Sequence, residues 1–194
     1  MKTVGIIGPT DLGKLSFLLA KPREFLLEKA AQVGKLLAEN NCELLVNAED
    51  GSLLFWVAKA YKEHGGKKLI ILTPRRGSPW PIAETSAHRA IADEVVEVAD
   101  WFRANHAVVS RPSLVVCMGL SAGTFSELAY IKWDDQFHRG NLKKLVVIQE
   151  LIREKELPPE LAINIAPLVE YINVVEELDQ VLQKAQCNKE PSLI

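Results

Sequence analysis

Short runs of apolar, largely β-branched residues recur along the chain, and stretches with a helical apolar period separate them. The runs lie at residues 4–8 (VGIIG), 43–47 (ELLVN), 68–73 (KLIILT), 114–118 (LVVCM) and 144–149 (KLVVIQ). A strand with one face in water would carry a polar side chain at every second position. These runs are apolar nearly throughout, so both of their faces must be covered. Strands buried on both faces and joined by helices make a parallel sheet. The expected fold is a doubly wound parallel α/β sheet of the Rossmann-like type. It forms a single domain over residues 1–187, with a flexible tail at 188–194.

The helical stretches carry their own signals. Pro22 stands where a helix opens, since a missing N–H costs nothing there. Leu26, Ala30, Val33 and Leu37 then make an apolar stripe that ends at Asn40-Asn41. Ser52 is an N-cap candidate for a helix with Leu54, Val57, Ala58 and Tyr61 inward. Residues 94–98 (EVVEV) read as a strand, 101–110 as a helix, and 82–92 as a weak helix or a structured loop. The Gly-rich loop after residue 118 leads into a helix from about residue 124. Pro158-Pro159 opens a further helix, and a strand at 171–175 precedes a last helix at 176–186.

Composition excludes several classes. Of 194 residues, 48% are hydrophobic and 25% charged, and 23 basic against 25 acidic side chains leave a net charge of −2. No basic cluster suggests nucleic acid, and no window reaches a membrane-spanning length. Cys42 and Cys117 sit in apolar runs and Cys187 stands apart, as reduced thiols in a reducing compartment would. A cytoplasmic location is expected. His88, His106 and His138 lack metal-ligand spacing, so neither a metal nor a cofactor is expected.

In such a sheet, ligands bind beyond the carboxyl ends of the strands. The loops there are residues 9–21, 48–52, 73–81 and 119–124. Gly8 to Lys14 (GPTDLGK) opens like a P-loop, but Leu15 stands where a Mg²⁺-binding hydroxyl is needed. A triphosphate enzyme built there is one alternative. Gly8 and Thr10 could still offer contacts to a ligand, as could Gly51 in the second loop. Arg75-Arg76 and Trp80 are further edge residues, an anion clamp and a stacking ring in one reading and solvated loop residues in another. The stretch GLSAGTFSE is more informative. Gly119, Ala122 and Gly123 leave amides open at a helix start, and Ser121 and Thr124 add hydroxyls. Glu127 follows as a carboxyl for a sugar hydroxyl or for base work, or simply as a capping residue.

Met118 to Ala129 (MGLSAGTFSELA) resembles the P-G-G-x-G-T-x-x-E signature of the LOG ("Lonely Guy") family, once labelled lysine decarboxylases, within the SLOG group of Rossmann-like nucleotide-binding domains. The likeness is greatest to its short prokaryotic branch. It implies a homodimer and a nucleoside monophosphate or other phosphate-bearing ligand. It also implies phosphoribohydrolase chemistry, by the signature glutamate (Glu127) and an upstream arginine. Counting back from Thr124, Asn105 matches the asparagine of the family's R-N pair. Ala104 takes the arginine position, with Arg103 one residue early, about 100° around a helix. Leu120 replaces the second glycine, and residues 47–53 (NAEDGSL) replace a glycine-rich loop. These departures favour the fold over the chemistry. A non-catalytic carrier or sensor with the same pocket is therefore the second reading.

Overall fold

A computed structural model describes residues 2–75 and 84–187. Among the described residues seven strands form one parallel sheet, in the order β4-β3-β2-β1-β5-β6-β7. They are β1 (Lys2–Ile7), β2 (Cys42–Asn47), β3 (Lys68–Pro74), β4 (Glu94–Val98), β5 (Leu114–Cys117), β6 (Lys144–Ile148) and β7 (Val169–Ile172). The helices between them are α1 (Leu12–Leu19), α2 (Arg23–Glu39), α3 (Leu53–Glu63), α4 (Ser86–Ile91), α5 (Trp101–Ser110), α6 (Ala122–Gln136), α7 (Pro159–Ile165) and α8 (Leu178–Cys187). The Rossmann-like α/β expectation holds. The tail, Arg76 and Trp80 lie outside the described residues.

The double burial seen in the sequence has a direct counterpart in packing. On one face Val4, Ile6, Leu44, Val46 and Ile71 pack with α2, α3 and α8. On the other, Ile7, Leu45, Leu72, Val115 and Val147 pack with α5, α6 and α7. The edge strand β4 is largely exposed, which accommodates the glutamates at positions 94 and 97. Tyr61 fastens α3 to the sheet edge: its hydroxyl donates to the Cys42 carbonyl at 2.7 Å and accepts from the Lys68 amide at 3.0 Å.

Two stretches differ from expectation. Residues 9–21 are not a plain loop, because α1 forms within them. Asp11 caps it by accepting from the Lys14 amide at 3.0 Å, and Leu12 and Leu15 dock on the core. Ala20 ends it in the left-handed region at φ 50°, and Pro22 then starts α2. The last strand lies earlier than 171–175. Val175 belongs to a 3₁₀ turn, and its amide donates to Glu150 at 2.8 Å. In the weakly patterned stretch 82–92, α4 forms at the end.

Helices α2 and α3 touch backbone to backbone at Gly34. A Cβ there would sit 2.3 Å from the Val57 carbonyl oxygen and 2.8 Å from the Tyr61 nitrogen. In an open helix Gly→Ala stabilises by about 1 kcal/mol. Overpacking against backbone costs about 1–3 kcal/mol and should prevail here. Gly34→Ala is therefore expected to lower the urea midpoint by the equivalent of about 1–2 kcal/mol. A midpoint equal to or above wild type would show that α2 and α3 can part without cost.

Candidate functional site

Strand β1 pairs with β2 on one side and β5 on the other, so the winding reverses between β1 and β5. Doubly wound sheets bind ligands at such a reversal, beyond the carboxyl ends of the strands, and here the loops leaving β1 and β5 meet at Pro9 and Gly119. Gly119 makes the close approach possible. At φ +134°, a Cβ on it would lie 3.0 Å from Pro9 Cδ and 3.2 Å from the Leu151 carbonyl oxygen. A larger residue would be strained in conformation and in space.

Beyond Gly119 the chain enters α6. Ser121 is extended at φ −147° and caps the helix, accepting from the Thr124 amide at 3.3 Å. The two hydroxyls lie 3.1 Å apart, and Thr124 is fully buried. Ala122 and Gly123 are exposed, and nothing comes nearer to a Cβ on Gly123 than Ser121 Oγ at 3.7 Å. The first turn of α6 thus presents accessible backbone and the positive end of the helix dipole.

Glu127 is neither a cap nor a first-turn acid. It stands in the second turn, 4% exposed. Asn47, the last residue of β2, donates through Nδ2 to Glu127 Oε1 at 3.1 Å and to Asn105 Oδ1 at 2.9 Å. Asn105 Nδ2 donates to Ser126 Oγ at 3.1 Å, which donates to the Gly123 carbonyl at 2.7 Å. The chain of bonds joins β2, α5 and the start of α6. Asn47 Oδ1 is buried and has no hydrogen-bond partner among the described residues. Burial pushes the Glu127 carboxyl well above its ordinary value, and the Asn47 bond offsets only part of this. Among the described residues no Lys, Arg or His forms an ion pair with it. The neighbouring Cys117 thiol is pushed up to about 12, chiefly by burial.

The residues expected at the site separate into those that meet and those that do not. Asn105 joins Glu127 through Asn47. Ala104, in the register of the missing arginine, is fully buried. Arg103 is exposed and faces a shallow cleft with Val98, His106 and Arg111, apart from the Glu127 network. Gly8 is buried beneath Met118, while Thr10 is exposed and hydrogen-bonds Glu49. Burial holds the Glu49 carboxyl above its ordinary value. Gly51 sits at φ +74° in open space. Asp50 turns to α4, accepting from the Ala87 amide at 2.7 Å, the His88 amide at 2.9 Å and His88 Nδ1 at 3.0 Å. His88 is accordingly a buried helix residue and not a surface one. Among the described residues no cluster of three potential metal ligands occurs.

The P-loop resemblance does not become a phosphate cradle. Gly13 and Lys14 lie inside α1, the Asp11 carboxylate takes the Lys14 amide, and the Lys14 side chain is 83% exposed. Asn47 went unremarked as a site residue in the sequence. Its signal was a polar side chain ending an otherwise apolar strand at the ligand-binding edge.

Among curated proteins no sequence matches. Solved structures do. The molybdenum cofactor carrier protein of Chlamydomonas reinhardtii superposes with a TM-score of 0.68 at 17% identity, over 96% of this chain and 99% of that one. The molybdenum cofactor binding protein of the phototrophic bacterium Rippkaea orientalis gives 0.68 at 15% identity, over 95% and 97%. At such identities the likeness is one of fold. No helix among the described residues is long and apolar enough to cross a membrane. The model of the SLOG cluster4 family matches residues 1–158, and with the strand reversal, signature loop and buried glutamate in place, the chain belongs to that family.

Proposed function

We propose that the chain is a carrier or sensor for a phosphate-bearing small molecule, and not an efficient phosphoribohydrolase. The observation that carries this reading is the state of Glu127: buried, bonded to a neutral amide and, among the described residues, without a cation paired to it. Glycosidic cleavage needs an ionised or proton-exchanging carboxyl and stabilisation of developing charge. Here burial favours the uncharged form of the carboxyl, and Ala104 supplies no cation to stabilise developing charge. Glu127 instead holds β2 against α6 and so keeps the loop from Gly119 to Thr124 in shape. The phosphate is bound by the exposed amides of Ala122 and Gly123 with the Ser121 hydroxyl, aided by the helix dipole. The carrier role named for the algal fold relative is in keeping with this reading. The exposed aromatic rings of Phe125 and Trp133 on α6 and of Phe137 just after it favour a second copy of the chain as partner.

The binding site is tested by Gly123→Val, which should abolish the binding of nucleoside monophosphates and inorganic phosphate in calorimetry while the thermal melt stays cooperative. Equal affinity in the mutant would remove the site from this loop. Catalysis is tested by chromatography of base released from AMP, GMP, CMP, UMP and IMP. A well-placed acid or base contributes about 10² to 10⁴ in rate, so release should be slow or undetectable. Turnover near about 10 s⁻¹, a typical enzyme value, would restore the hydrolase reading, the more so if Arg103→Ala abolished it.

The raised Glu127 carboxyl also has a sign in stability. The folded state holds its proton more tightly than the unfolded chain, so this contribution is complete below the ordinary carboxyl value of 4.5. It is lost as pH rises from there through the folded-state value. Glu127→Gln should melt close to wild type at about pH 4.5 and increasingly above it as pH rises from there. A gap independent of pH would mean that Glu127 is ionised in the fold. For the partner, Trp133→Glu combined with Phe137→Ser should turn a dimer into a monomer in sedimentation. A monomeric wild type would exclude the pairing.

A further inference from the structure

Beside the signature loop lies a groove of about 380 Å³. Its walls are Leu15 and Leu18 of α1, Leu120 of the signature loop, and Leu151, Leu157 and Pro158 of the segment following β6. Three observations separate it from an ordinary surface dent. Leu18 is 44% exposed on a helix of 8 residues whose other leucines turn toward the protein. That leaves apolar surface in water where a bound apolar group would cover it. The groove adjoins the candidate site, because Leu120 lines it and stands between Gly119 and Ser121. Its volume lies within the range of small-molecule pockets, about 300–1,000 Å³, and is far too small for a helix or a protein segment.

We propose that this groove receives the uncharged, apolar body of the ligand whose phosphate sits on the amides of α6, so that the chain selects phosphate monoesters of apolar rings or branched chains over those of polar nucleosides. The proposal rests on the phosphate reading above. Leu120 is the hinge between the two halves: its backbone belongs to the anion loop and its side chain to the apolar wall. The residue that departs from the family signature thus becomes a selectivity element. The nearby charges of Arg153, Glu154 and Glu156 also line the groove, on exposed positions where they mark its outer lip.

The test is calorimetry with inorganic phosphate, methyl phosphate, 1-naphthyl phosphate, AMP and neutral 1-naphthol. Wild type should bind 1-naphthyl phosphate at least tenfold tighter than methyl phosphate and tighter than AMP. Leu18→Glu, at a part-exposed position, should bring 1-naphthyl phosphate down to the level of methyl phosphate, and Leu120→Gly should do the same in part. Thermal melting confirms that both variants fold, and Leu18→Ser serves if the charge disturbs α1. If the simple phosphates bind but the naphthyl ester gains nothing, or its gain survives Leu18→Glu, the groove is not a subsite and the phosphate reading stands. If no phosphate binds, that reading fails. Should 1-naphthol alone then bind, the groove would be an independent apolar site and the proposal of one continuous ligand would be overturned.

Discussion

The hydrogen-bond ladders that β1 makes with β2 and β5 govern everything beyond them. Gly5 pairs with Leu45 on one side and Val115 on the other. With β1 at the centre, the later chain must build outward in both directions, and the winding reverses between β1 and β5. A Cβ on Gly5 would lie 2.4 Å from the Val108 carbonyl oxygen, so the helix covering this ladder lies directly on its backbone. The place of the candidate site is thus a by-product of strand order. The sequence then furnishes it with Gly119, an open helix start and a buried acid.

The chemistry of that acid depends on its surroundings more than on its identity. A carboxyl in water would be ionised and ready to accept a proton. One enclosed by Cys117, Asn47 and the body of α6 loses hydration that a single amide bond restores only in part. An adjacent guanidinium would reverse this by favouring the charged form. The absence of one at Ala104 therefore changes the charge on Glu127 as well as the contacts available to a ligand. Position 104 is also fully buried, so a long cationic side chain would need room that the α5 packing does not offer.

Much of this was legible because strand runs buried on both faces leave few choices of fold. The borders of β4 and α5 follow directly from EVVEV and from the stretch ending at Ser110. Where the sequence misled, a local interaction competed with a pattern. The glycines of GPTDLGK suggested an open loop, yet Asp11 could cap a short helix on Leu12 and Leu15. Val174 and Val175 looked like strand residues, yet the Val175 amide is claimed by Glu150. The burial of His88 could not be read either, because nothing in the sequence links it to Asp50, 38 positions away. Asn47 was hidden for the same reason. Its meaning arises only when β2 lies across from α5 and α6, and spacing along the chain cannot reveal that.

An amide nitrogen carries two protons, and Asn47 commits both, one to Glu127 and one to Asn105. Aspartate in its place would have nothing to donate and would set a second carboxyl against the first. A smaller side chain would strand both acceptors in the interior. Glu127 is held in the same way, since only a group that accepts from Asn47 and tolerates burial suits it. Asn47 is therefore the less replaceable of the two, while Glu127 can give way to glutamine, which still accepts from it. Among descendants of such a chain the asparagine should be kept and position 127 should hold only buried acceptors, while the exposed residues around them are free to diversify.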